Sequence, residues 1–169
     1  ASEWTLLLED GREKEGTKLP TDHQGIVNLF PVWNPIAHST TLYRRDHAVV
    51  LGGYPGEFPY AQDFALYLAL ASRHRLANLP QPLVKVRKHS RQMTALPEWA
   101  VRRTLDSVRL HRRARGVPGV SKRALAKGRE TMAREIVAHA DVLRQEGKIF
   151  KALAWAMRAA LWHPKFCAR

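Results

Sequence analysis

An α/β part followed by an all-helical part is the fold class that this 169-residue sequence predicts, and three observations predict it. Strand-like and helix-like segments alternate up to about residue 90. Beyond Thr94 the apolar spacing becomes helical throughout. The charge divides at the same place. Residues 1–93 carry 11 Lys and Arg against 9 Asp and Glu, whereas residues 94–169 carry 17 against 6, so nearly all of the net +13 lies in the second part. The expected boundary falls near residues 90–97, separating 1–93 from a basic helical subdomain, 94–169.

The elements follow in order. Glu3 to Leu8 reads as a strand, and Glu9-Asp10-Gly11 as a hairpin-type turn into a polar return through Lys18. Pro20-Thr21-Asp22 opens a short helix, with Thr21 or Asp22 as its cap. Ile26, Val27 and Phe30 keep helical spacing there, and Pro31 ends it. Ser39 to Tyr43 reads as a buried strand, and Asp46 is expected to cap a short helix that stops at Gly52-Gly53. Residues 60–75 give the best helix of this half, with Phe64, Tyr67, Leu68 and Ala71 at i, i+3, i+4 and i+7. Leu76 to Leu79 and Leu83 to Val86 read as two strand-like pieces parted by Pro80 and Pro82.

In the second part Pro97 is expected to open a helix that aligns Val101, Leu105 and Val108. Gly116-Val-Pro-Gly119 is a break, after which Ser121 caps a helix with Leu125, Met132, Ile136, Ala140 and Leu143 on one face. Gly147 separates it from a last helix ending at Pro164.

Composition excludes several classes. A single cysteine, Cys167, allows no internal disulfide and fits a reducing compartment. No run of about 18 apolar residues encodes a transmembrane helix, and Ala-Ser-Glu-Trp at the start has no signal-peptide pattern. A cytoplasmic location is the resulting expectation. No Gly-x-Ser-x-Gly and no matching acid support a hydrolase built on His38 and Ser39. Neither phosphate-loop pattern occurs, and there is no Asp-x-Asp.

The chemistry-bearing stretch is Asn34 to Asp63. It contains Asn34-Pro35-Ile36-Ala37-His38-Ser39, then Arg44-Arg45-Asp46, Gly52-Gly53-Tyr54 and Tyr60-Ala61-Gln62-Asp63; Arg87 and His89 follow a later strand. Read from the residues alone, Asp63 is either a helix-start cap or a reactive carboxylate placed where the helix dipole favours negative charge. His38 either borders a site or is buried against backbone. His89 is either a metal ligand or an exposed strand-end histidine.

In order and spacing this run resembles the acceptor-side half of family-2 glycosyltransferases of the GT-A fold, a Rossmann-like mixed sheet with helices. The resemblance covers residues from about 4 to 93. It implies an inverting transfer from a nucleotide-sugar donor to the hydroxyl of a saccharide or lipid-linked acceptor, with Asp63 as general base. It places Gln62 at a position that usually carries Glu and contacts the acceptor, and sets Asn34, His38 and Ser39 along the acceptor site. Arg87 is expected to stabilise phosphate, and His89 to support a divalent cation, Mn or Mg, in the complete enzyme. Gly52 and Gly53 are structural. The donor-binding half with its Asp-x-Asp is expected upstream of residue 1.

The last helix, Lys148 to His163, has an apolar face of Phe150, Leu153, Met157 and Leu161. A stripe of Lys151, Trp155, Arg158 and Trp162 suggests an anionic membrane surface as partner, at the inner face of the plasma membrane. Residues 128–164 also resemble one tetratricopeptide-like unit, with Ala152, Ala159 and Pro164 in place. One unit cannot bury both faces, so it packs on the body or pairs with a second chain as a homodimer. The basic charge admits a rival function, a nucleic-acid-binding or scaffold protein without catalysis, but no finger, RNP-like motif or helix-turn-helix supports nucleic acid.

Overall fold

The computed structural model describes residues 1–92, 96 and 99–162. The expectations for Pro97, Pro164 and Cys167, and for the side chains of Val101 and Trp162, lie outside the described residues, as does part of the boundary region near 90–97.

A three-stranded sheet opens the chain. β1 (Ser2–Leu7) turns at Glu9-Asp10-Gly11 and pairs antiparallel with β2 (Glu13–Glu15), while β3 (Leu79–Arg87) lies parallel on its other edge, in the order β2-β1-β3. The two expected strand pieces are therefore one strand that runs through Pro80 and Pro82. The register slips between Ser2 and Glu3 and again between Glu3 and Trp4, which absorbs the prolines. As an edge strand β3 can spare their missing N–H groups.

α1 (His23–Leu29) is capped by Asp22, whose Oδ1 accepts from Gly25 N at 2.9 Å. The expected buried strand at Ser39–Tyr43 is instead a 3-10 turn, His38–Thr40, followed by residues that pair with no strand. Side chains explain the change. Thr40 Oγ1 accepts from Ser2 N (2.9 Å) and donates within reach of Ala37 O (2.9 Å), and Thr41 Oγ1 donates to His38 O (2.8 Å). Hydroxyls that satisfy the backbone locally compete with a sheet ladder. His38 accordingly sits in a turn rather than near a strand start, and Leu42 is 94% exposed.

α2 (Arg45–Val50) has Arg44 at its cap position, so Asp46 lies inside the first turn and is no cap. Gly52 and Gly53 end it with φ of 89° and 65°, and Gly53 N reaches back to Ala48 O at 2.8 Å. That left-handed closure suits glycine. α3 (Gln62–Ala71) is shorter than the expected 60–75 and is almost wholly buried.

α4 (Ala100–Ala114) and α5 (Lys122–Gln145) fold back on this half, and α6 (Ile149–Trp162) packs on α5. Leu110, Ala114 and Val117 share one core with Phe30 and Phe64, whose rings lie 5.7 Å apart. The expected apolar face of α4 is only partly buried: Val108 packs on the α5–α6 core but Leu105 is 40% exposed, and the fully buried side combines Thr104, Asp106 and His111 with Leu110 and Ala114. Polar groups mixed into a buried face hide it from a hydrophobic pattern. Ser121 caps α5 by accepting from Ala124 N at 3.2 Å.

α5 and α6 form a hairpin around Met132, Ile136, Ala140, Leu143, Ala152, Trp155 and Ala159. Ala152, Trp155 and Ala159, at i, i+3 and i+7, make its inward stripe, since small residues let the helices approach closely. Trp155 is buried edge-on to His139, with ring centroids 4.8 Å apart. The expected cation–indole stripe on the surface is thus broken at Trp155. Phe150, Leu153, Met157 and Leu161 remain outside. No helix among the described residues is long and apolar enough to cross a membrane.

Candidate active site

One face of α4 holds the approach to α3. Asp106, Arg109 and Arg113 fall at i, i+3 and i+7, so they point the same way. Arg109 and Arg113 donate to the Glu57 carboxylate at 3.0 and 2.7 Å, and their guanidinium carbons lie 4.7 and 4.6 Å from the centre of the buried Phe58 ring. The fully buried Asp106 accepts from Tyr60 N at 3.1 Å. The run Tyr60-Ala61-Gln62-Asp63 is therefore tied to the helical part.

Asp63 is the second residue of α3. The cap position is Ala61 and no side chain caps the helix, so the simple capping explanation of Asp63 does not describe this structure. The residue is half-buried. A group of tyrosines lies on one side of it. Tyr43 and Tyr54 hydroxyls are 2.6 Å apart, and the Tyr67 hydroxyl is 2.7 Å from His38 Nδ1. Partial desolvation, then the Tyr43 hydroxyl, then the Asp63 charge push Tyr54 up to about 12. Burial first, with Asp63 adding to it, raises Tyr67 as well. Both hydroxyls keep their protons.

On its other side Asp63 lines a cavity of about 320 Å³, within the size range of ligand sites. Trp33, Asn34 and Tyr60 share the wall with it, and α4 and α5 supply Arg103, Ser107, His111 and Glu135. Asn34 Oδ1 accepts from Ile36 N at 3.2 Å, the tight turn that its neighbour Pro35 favours. His111 is buried, with Nδ1 2.8 Å from Ser107 O and Nε2 3.3 Å from Val32 O. Glu135 opens onto the cavity, yet the protein crowds its carboxyl; desolvation raises its pKa against the opposing pull of His111 and Arg103 and a hydrogen bond from Ser107.

The structure thus brings Asp63 and Asn34 to one cavity. Gln62, the first residue of α3, is exposed beside them, and Ser39 is exposed in the 3-10 turn. His38 is exposed and bound to a side-chain hydroxyl, so the expectation of a buried, backbone-bonded histidine does not hold. Arg87 and His89 lie apart, exposed at the end of β3, where Lys88 N donates to Leu7 O (2.8 Å) and Ser90 N to Glu9 Oε1 (2.7 Å). They do not line the Asp63 cavity. Among the described residues no group of three or more His, Cys, Asp or Glu is placed to hold a metal. His89 alone is one donor and does not make a cation site.

Sequence reasoning missed Asp106, Arg109 and Arg113, though their helical spacing was a readable signal. It also missed Arg103, Ser107 and Glu135, which carry no local pattern.

The chain is 32% identical over 92 residues to the amylovoran biosynthesis glycosyltransferase AmsE of Erwinia amylovora, covering 54% of this chain and 34% of that protein. It is 30% identical over 83 residues to an uncharacterized glycosyltransferase of Haemophilus influenzae, covering 47% of this chain and 25% of that one. The chain therefore spans about a third and a quarter, respectively, of the length of these curated relatives. No family profile and no solved structure matches it. About half of the chain is related, at low identity, to glycosyltransferases.

Proposed function

We propose that the protein containing this chain transfers a sugar from a nucleotide-sugar donor to a hydroxyl of a saccharide or lipid-linked saccharide. We further propose a GT-A-type fold, inversion at the anomeric carbon and Asp63 as general base. The observation that carries this reading is the placement of Asp63, which caps nothing and faces a cavity of ligand size between the two parts of the chain.

In the proposed step the acceptor oxygen forms a bond to the anomeric carbon while its proton passes to the Asp63 carboxylate. The bond from that carbon to the diphosphate oxygen breaks, and the nucleoside diphosphate leaves with the electron pair. A positioned base of this kind contributes about two to four orders of magnitude in rate. Asn34 and Gln62 flank Asp63 as hydrogen-bonding groups for acceptor hydroxyls, with His38 and Ser39 beside the tyrosines. Burial and the nearby charge of Asp63 keep Tyr54 and Tyr67 protonated. A divalent cation, Mn or Mg, would offset charge on the diphosphate, with His89 as its expected support and Arg87 on the phosphate; because the described residues do not form a cation site, no step is derived through it.

The same reading includes a cytoplasmic location with peripheral attachment to an anionic membrane. Its support is the exposed face Phe150, Leu153, Met157 and Leu161 beside Lys151 and Arg158, on a chain of net charge +13. Trp155 takes no part.

The test is incubation of the full-length protein with a panel of nucleotide-sugars and saccharide acceptors, following nucleoside diphosphate release and the anomeric configuration of the product by NMR. Transfer with inversion is expected. A product of retained configuration, or none from any pair, overturns the reading.

A further inference from the structure

A second cavity adjoins the one at Asp63. Arg103, Ser107 and Glu135 also line this second cavity of about 340 Å³, which continues past Thr104 to Ala138, His139 and Val142. The two share these three residues of α4 and α5 as a common wall. Small side chains, Ser107 on α4 and Ala138 on α5, leave the space open. From Glu135 to Val142 the helix advances about 10 Å, a length that the reacting sugar ring alone does not use.

We propose that the two adjoining cavities act as one trough that seats an acceptor of several sugar units, its reacting hydroxyl at Asp63 and its remaining units between α4 and α5, so that the helical part selects acceptor length. The inference rests on the glycosyltransferase reading above and names the acceptor class for it.

The chemistry of the walls supports a saccharide. Glu135 accepts hydrogen bonds, Arg103 donates them, and Ser107 does both, which matches the mixed donor and acceptor character of sugar hydroxyls. Trp33 and Tyr60, half-buried at the Asp63 end, offer apolar ring faces to the C–H face of a sugar. A nucleic-acid strand fits poorly despite the basic surface, because the carboxylates of Asp63 and Glu135 would face its phosphates. Ala138 and Val142 are exposed, so their side chains can be enlarged without disturbing the core.

The probe is a printed array of neutral mono- to hexasaccharides, read for retention of the full-length protein and, separately, for sugar transfer. Retention on trisaccharides and longer chains is expected to exceed that on monosaccharides by at least about tenfold, a difference of about 1.4 kcal/mol. Ala138→Trp and Val142→Trp, each checked for an unchanged melting curve, should bring that ratio close to one, whereas Phe150→Ser should not move it. Asp63→Asn should lower transfer by about two to four orders of magnitude and keep the length preference in retention. Transfer without a length preference, or with one that both tryptophan variants leave intact, overturns the trough and leaves the glycosyltransferase reading standing. Length-dependent retention with no transfer by the wild type supports the trough and contradicts the activity. Neither retention nor transfer removes both.

Discussion

His38 Nδ1 and the Tyr67 hydroxyl lie 2.7 Å apart and join the 3-10 turn to α3 beside Asp63. The protonated state of the tyrosines has a consequence for stability. Tyr54 is raised to about 12, and Tyr67 is raised too. A proton held more tightly in the folded chain favours folding below the ordinary tyrosine value of about 10, and that contribution is lost as pH rises through the folded value. Urea midpoints should therefore fall between about pH 10 and 12. The slope should be shallower in the Tyr54→Phe, Tyr67→Phe double variant. Because Tyr54 is 44% exposed, Tyr67 should account for most of the difference.

Gly128 meets the chain that follows α1 with no room to spare. A Cβ there would lie 2.6 Å from Pro31 Cβ and nearer still to the Pro31 carbonyl oxygen. In an unpacked helix Gly→Ala gains about 1 kcal/mol. Here Gly128→Ala should instead destabilise by about 1–3 kcal/mol, the usual cost of overpacking. Thermal melting decides: a raised Tm would mean that α5 is not docked on Pro31.

Much of this was legible in the sequence. Asp22 and Ser121 as caps, the Gly52-Gly53 closure, the inward faces of α3 and α5 and the hairpin break at Gly147 all follow from local rules that the chain obeys. Ser39–Tyr43 was misread because apolar alternation cannot show Thr40 and Thr41 bonding to nearby backbone. The α4 face was misread because Thr104, Asp106 and His111 are polar residues buried by tertiary contacts. In the site, Asp63 and Asn34 were visible as motif residues, whereas Arg103 and Glu135 reach the same cavity from distant parts of the chain.

The two faces of α6 should separate in experiment. Trp155→Ala removes a buried ring that packs on His139 and should cost about 3–5 kcal/mol. Replacing Phe150, Leu153, Met157 and Leu161 by Ser should each stay within about 0.5 kcal/mol, as for ordinary surface positions. In co-sedimentation with anionic vesicles, the fourfold Ser variant should lose binding, with Lys151 and Arg158 contributing about 1 kcal/mol each. Equal sedimentation of wild type and the fourfold variant would contradict attachment through this face.

The most direct measurement is the turnover of Asp63→Asn in the full-length enzyme at saturating donor and acceptor, with donor affinity measured alongside. The amide keeps the shape of the carboxylate but cannot take the acceptor proton. The account predicts unchanged donor affinity and a kcat lower by about two to four orders of magnitude. A kcat close to that of the wild type would contradict Asp63 as the base.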